Sequence, residues 1–109
     1  MLAEECFDGV VAALRDHAGV APPDPSRRGF GADALTVHGS IFAMVKDRAL
    51  VVKLPASRVS ALVASGQGAP FGAGRGRPMK EWVAVAEVDP DAWRLLAEEA
   101  CAFVGSRRA

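Results

Sequence analysis

Apolar residues near the start of the chain recur every three to four positions. This spacing holds through a stripe made of Leu2, Cys6, Phe7, Val10, Val11 and Leu14. A recurrence close to 3.6 residues places side chains along one face of a helix. The pattern therefore predicts an amphipathic helix over residues 2–17, ended by Gly19. Residues 20–28, with three prolines, are predicted to be a surface connector rather than a helix or a central strand.

Between residues 31 and 55 the pattern changes to short apolar runs separated by turn residues, which is typical of strands. Gly39-Ser40 suits a two-residue type II′ turn, because glycine adopts a positive φ at low cost. Asp47-Arg48 is the second predicted turn. Two-residue loops at both places predict three antiparallel strands, with Val45 opposite Leu50, Ala43 opposite Val52 and Ile41 opposite Leu54.

This register assigns each side chain to a face of the sheet, because side chains alternate along a strand. The first face carries Ile41, Ala43, Val45, Leu50, Val52 and Leu54. The second carries Leu35, Val37, Phe42, Met44, Val51 and Lys53. Both faces are apolar, so a layer of helices leaves one of them for a partner, unless a bulge at a turn moves side chains across. The predicted interface consists of Leu35, Val37, Phe42, Met44 and Val51, and homodimerisation is the simplest way to cover it.

The second half of the chain alternates between helical and extended patterns. Pro55 begins a short helix that Gly66 ends, and strands are predicted near 69–73 and over 80–87. Asp89 is a suitable N-cap for a last helix that begins at Pro90 and continues to Gly105. The elements predict an α+β fold with two layers, a mostly antiparallel sheet with helices, in the topology α-β3-α-β2-α.

The length of 109 residues predicts a single domain over 1–109. Acidic and basic residues balance at 13 each, so the composition lacks the global charge of a DNA-coating or membrane-surface protein. The N-terminus carries acids where a secretory signal has Lys or Arg, and no apolar run reaches the ~18 residues of a membrane span. We therefore expect a cytoplasmic protein without membrane contact.

Residues with catalytic potential are few. Neither His17 nor His38 has a neighbouring carboxylate or nucleophile in a catalytic motif. Cys6 and Cys101 are too few for a zinc site, and they are interpreted as buried thiols, with a bridge between the terminal helices as the alternative. The Gly-rich segment 66–82 lacks the Lys-Ser/Thr of a P-loop. We expect a protein that is not an enzyme and has no cofactor or metal.

Arg75, Arg77 and Lys80 form a basic cluster in the same Gly-rich segment, Arg27 and Arg28 end the proline-rich connector, and Lys53 is the one charge of the third predicted strand. The candidate contact for an anion or a nucleic acid consists of Arg27, Arg28, Lys53, Arg75, Arg77 and Lys80. The alternative is that these side chains only keep a Gly-rich loop soluble, and that Lys53 extends its stem along an aromatic ring to reach water.

Several short motifs together resemble a known family. They are Phe30-Gly31, Leu35 to Gly39, Ile41 to Met44, Leu50 to Leu54, Gly68 to Phe71 and Pro78 to Val83. The chain is similar to the N-terminal domain of TfoX/Sxy competence regulators and, beyond them, to YjbR/MmcQ-like proteins. The resemblance implies the topology α-β3-α-β2-α and a small non-enzymatic binding or regulatory module that acts through protein contacts. The YjbR/MmcQ likeness implies the alternative, nucleic-acid binding.

Overall fold

The computed structural model describes residues 1–23, 34–72 and 78–108. These residues form three helices and six strands: α1 (Ala3–Leu14), β1 (Val20–Ala21), β2 (Leu35–Val37), β3 (Ser40–Lys46), β4 (Ala49–Lys53), α2 (Ala56–Ala64), β5 (Ala69–Gly72), β6 (Pro78–Val85) and α3 (Pro90–Arg108). Every strand pair is antiparallel, and the strand order is β1-β2-β3-β4-β6-β5. The predicted α+β class is confirmed. The described elements include a strand that was not predicted, β1, which forms one edge of the sheet.

The helices pack against one face of the sheet and bury the main core with it. Each helix contributes a stripe at helical spacing, as its apolar pattern requires. The helical members of this core are Ala3, Cys6, Phe7, Val10 and Leu14 from α1, Val59 and Leu62 from α2, and Trp93, Leu96, Ala97, Ala100, Cys101 and Val104 from α3. Leu2, predicted to belong to the α1 stripe, precedes the helix and is 65% exposed.

The start of α3 is fixed by two hydrogen-bonding devices. The Asp89 carboxylate accepts hydrogen bonds from the backbone N–H groups of Asp91 and Ala92, at 3.0 and 3.2 Å, and this confirms the predicted N-cap. One turn further on, Trp93 is fully buried, and its indole Nε1–H donates to the Glu87 carbonyl at 2.8 Å. The largest core side chain therefore has its polar atom satisfied, which a buried indole requires.

The first hairpin turn lies one residue earlier than predicted. The loop is His38-Gly39, with φ of +50° and +83°, and β3 already begins at Ser40. A type I′ turn requires positive φ at both central residues, which here are His38 and Gly39. Glycine suits the second of these positions as well as the first. The predicted Gly39-Ser40 turn is therefore wrong. The second turn, Asp47-Arg48, is confirmed, as are the pairs Val45 with Leu50 and Ala43 with Val52.

A β-bulge at Phe42 changes the face of several residues. Thr36 pairs with Ile41, but Leu35 pairs with Ala43, so Phe42 is the extra residue of β3. Phe42 and Ala43 therefore both face the helices, and both are fully buried in the main core. Ile41, predicted to share a face with Ala43, lies on the opposite face of the sheet.

The prediction that five interface residues lie together on the uncovered face of the sheet is wrong for three of them. Leu35, Val37 and Phe42 belong to the main core under the helices, with exposures of 0–2%. The bulge is the physical reason, because one extra residue moves side chains to the other face, whereas the earlier position of the two-residue turn leaves these residues on a common face. Met44 and Val51 do lie on the face away from the helices.

The last helix continues beyond its predicted end and reaches Arg108. Gly105, predicted to end it, lies against β2, where an added Cβ would be 3.4 Å from a methyl group of Val37. A methyl group at this position would make only an ordinary van der Waals contact, so the packing does not require glycine here. The predicted stop at Gly105 is wrong, because the helix continues through it.

Because of the bulge, alanine substitutions at two neighbouring residues of β3 should destabilise the protein by unequal amounts. Phe42→Ala should lower the free energy of unfolding by about 3–5 kcal/mol, because a fully buried ring is replaced by a cavity. Ile41→Ala should cost roughly 1–2 kcal/mol, because its side chain is only partly buried. Urea unfolding of both variants measures the difference. Equal costs, or a smaller cost for Phe42→Ala, would contradict the assigned faces.

Candidate functional site

A small second cluster lies on the sheet face away from the helices. Ala34, Met44 and Val51 are buried there, and Ile41, Phe71, Trp82 and Ala84 pack against them while remaining partly exposed. Within the described chain the cluster draws on β3 to β6 and on the residue before β2, and it contains no helical residue. We call Ile41, Met44, Val51, Phe71, Trp82 and Ala84 the Trp82 surface.

Strand pairing brings the two aromatic rings of this surface together. Trp82 pairs with Lys53 of β4, and Phe71 lies in the edge strand β5 next to β6. The ring centroids are 6.5 Å apart and the ring planes are tilted by 53° to each other. A tilted arrangement is favourable because the positive edge of one ring is attracted to the negative face of the other. Sequence order does not show that β6 is inserted between β4 and β5.

Two lysines extend over these rings. The Lys53 ammonium nitrogen lies 5.8 Å from the Trp82 ring centroid, and that of Lys46 lies 6.0 Å from the Phe71 centroid. Both distances fall within the range of cation–π attraction, which is worth about 0.5–1 kcal/mol at exposed sites. Lys53 was predicted to extend its stem along the ring of Phe42 so that its ammonium reaches water, whereas in the structure the ammonium itself lies over the ring of Trp82.

A cleft beside Trp82 brings together the two described members of the predicted basic cluster. Lys53 and Lys80 line it with Ala56, Met79, Glu81 and Trp82. The Glu81 carboxylate is paired with Arg107 of α3 at 3.0 Å. The cleft therefore combines an indole ring with two lysines whose charge is not offset by Glu81.

An apolar groove continues from this cleft along α2. It lies between that helix and the outer strands, and its lining residues are Ala56, Val59, Ser60, Val63, Ala64, Pro70, Met79, Lys80 and Trp82. Four of these residues also line the cleft of Lys53, so the two depressions are continuous. We call this depression the α2–β6 groove.

A second cleft, between α2 and α3, is more polar. Arg58 donates two hydrogen bonds to the Glu99 carboxylate, at 3.0 and 3.1 Å, and this partner raises the pKa of Arg58. Glu87 and the N-cap Asp89 line the same cleft. Because Arg58 and Asp89 already have structural partners, we assign this cleft to the packing of the two helices.

Both cysteines are free thiols in the main core, with exposures of 2% for Cys6 and 8% for Cys101. Burial raises the pKa of both thiols, and the Asp89 charge adds to the rise for Cys6. A raised pKa lowers the thiolate fraction, and the thiolate is the nucleophile. The arrangement matches the interpretation as buried thiols, not the bridge between terminal helices.

The basic residues predicted as an anion or nucleic-acid contact are only partly described. Lys53 and Lys80 lie together at the Trp82 cleft. Arg27, Arg28, Arg75 and Arg77 lie outside the described residues, as do Phe30 and Gly31 of the family motifs. In the described ranges, no group of three or more His, Cys, Asp and Glu side chains is arranged to hold a metal ion. Nor is any described helix both long and apolar enough to cross a bilayer.

The chain matches no protein-family model, no curated protein and no solved structure. The resemblance to TfoX/Sxy and YjbR/MmcQ-like proteins therefore stays a prediction.

Sequence reasoning missed Ile41, Phe71, Trp82 and Lys46 as members of a candidate site. One signal was available, because alternation along the last strand places Trp82 and Ala84 on one side and Val83 and Val85 on the other. It did not show which side joins Met44 and Val51. That depends on the pairing of β4 with β6, which is not adjacent in sequence.

The thiols provide a test of the core. With Ellman's reagent at pH 8, the native protein should react at least tenfold more slowly than the unfolded protein, because burial excludes the reagent and raises the thiol pKa. Unfolding in guanidinium should release two equivalents of thiol. Rapid reaction in the native state, or no thiol after unfolding without reductant, would contradict the assignment.

Proposed function

We propose that the protein is a small non-enzymatic binding or regulatory module whose Trp82 surface contacts another protein molecule. One observation carries the proposal. The described helices pack on one face of the sheet, whereas an aromatic pair and a small apolar cluster remain partly exposed on the other. Partly exposed aromatic residues grouped on one face are typical of protein interfaces, where Trp and Phe are enriched.

The chemistry of the surface supports recognition rather than catalysis. Its six residues carry aliphatic, aromatic and thioether side chains, and none of them carries a nucleophile or an acid–base group. The histidines lie elsewhere, exposed at the turns that flank β1 and β2.

Site-specific photocrosslinking tests the proposal. A photoreactive phenylalanine analogue in place of Ile41 should give adducts with protein in cells that produce the chain, because this position packs against the same buried cluster as Phe71 and Trp82 and is partly exposed. The control is the same analogue at Leu95, an apolar residue of α3 that is 54% exposed. Adducts at both positions alike, or at neither, would count against a contact through the Trp82 surface. Light scattering of the purified chain then shows whether the contacted molecule is a second copy.

Nucleic-acid binding is a second candidate function. The observation that favours it is the proximity of two aromatic rings to lysines, since single strands bind by base stacking combined with phosphate contacts. With two or three lysines engaged, affinity for a labelled oligothymidylate should fall with salt at a logarithmic slope of about −2. Absence of binding at low ionic strength would remove this candidate.

A further inference from the structure

The charged side chains of the described strands differ in sign between the two sides of the sheet. The charged residues of the described strands are Lys46, Lys53, Lys80 and Glu81. Glu81 is bound by Arg107 of α3, so its charge is compensated from the helix side. The lysines surround the aromatic pair, with Lys46 and Lys53 over the rings and Lys80 in the cleft beside Trp82. The apolar surface is therefore bordered by cations.

Two of these cations have no acidic partner among the residues that the structure describes. None of the ion pairs among the described residues includes Lys53 or Lys80. The described acids other than Glu81 lie on α1 and the turn after it, in the Asp47 turn, and on α3 and the loop before it. The charge on Lys53 and Lys80 is left for a ligand to complement.

We propose that the Trp82 surface and the α2–β6 groove bind an acidic segment of another protein. An apolar side chain of the segment contacts Trp82 and enters the groove beside Val63 and Met79, and its carboxylates lie at Lys53 and Lys80. This inference rests on the proposed function, because it names the class of partner for the same surface. Exposed ion pairs contribute little affinity each. The apolar contact therefore supplies most of the binding, and the lysines select the partner.

The same charges disfavour a second copy as the occupant. A two-fold dimer places the same patch on both subunits, so Lys53 and Lys80 of one copy would face lysines of the other. Like charges opposed across an interface are destabilising. A head-to-tail contact with the acidic first turn of α1, which carries Glu4 and Glu5, would instead form larger rings or open chains. The acidic-segment proposal therefore predicts a monomer.

The ring geometry disfavours a nucleic acid. The Lys53 ammonium extends over the Trp82 ring, and the Phe71 ring is tilted by 53° to it, so the two rings do not form a flat platform for successive bases. A patch with three lysines also neutralises few phosphates, whereas nucleic-acid affinity rises with the number neutralised.

A display selection with matched variants tests the inference. Random 12-residue peptides are selected on the immobilised 109-residue protein, and the winning peptide is labelled for anisotropy titrations. The selected sequences should be enriched in Asp and Glu next to Leu, Phe or Trp. Lys53→Gln combined with Lys80→Gln should weaken the peptide about tenfold, and added salt should reduce this difference. Arg15→Gln with Arg94→Gln removes two charges away from the surface, and it should leave affinity within about twofold.

The remaining outcomes separate this inference from the proposed function. Selected peptides without acidic enrichment, bound equally by the lysine variant but weakened by Trp82→Ala, would overturn the inference and leave the protein-binding surface in place. Dimers in light scattering that Ile41→Lys dissociates would do the same. Failure to select any peptide, or peptides insensitive to both Trp82→Ala and the lysine variant, would overturn both. Circular dichroism of each variant shows that it is folded.

Discussion

The bulge at Phe42 sets the division of the molecule into a covered and an uncovered sheet face. In a regular strand Phe42 would share a face with Met44, and a large ring would lie away from the helices. The extra residue instead directs Phe42 and Ala43 together into the main core, where Phe42 is fully buried. Leu35 and Val37 follow, because their partners in β3 now lie on that side. The helix-covered core gains its largest sheet side chain through this irregularity.

Among the described residues, the face away from the helices carries only a small apolar cluster. Its buried members are Ala34, Met44 and Val51, and larger side chains are partly exposed around them. Such a cluster removes little apolar surface from water compared with the main core, so it contributes less to folding. Binding through its aromatic residues, as proposed above, would therefore cost little stability. The asymmetry between the helix-covered face and the uncovered face follows from the bulge together with the apolar stripes of the helices.

The sequence predicted the features that depend on local pattern and missed those that depend on pairing. Helical spacing located α1, α2 and α3, and alternation correctly separated Val51 from Leu50 and Val52. The first turn was placed one residue late, because His38-Gly39 and Gly39-Ser40 both satisfy the glycine requirement of a two-residue turn. The bulge has no signature in a single sequence. The sequence did not predict the Trp82 surface for the same reason, because Trp82 lies beside Met44 and Val51 only through the pairing of β4 with β6.

Although the chain has zero net charge, its described ion pairs are concentrated on α3. The three described ion pairs either lie within α3 or join α3 to other elements: Arg94 with Glu98, Arg58 with Glu99, and Arg107 with Glu81. The third pair matters most for the surface, because it binds the one acidic residue of the described strands from the helix side. Glu81 lines the same cleft as Lys53 and Lys80, and without its Arg107 partner its charge would weaken the positive potential there. An exposed ion pair of little energetic value thereby keeps the edge of the Trp82 surface cationic.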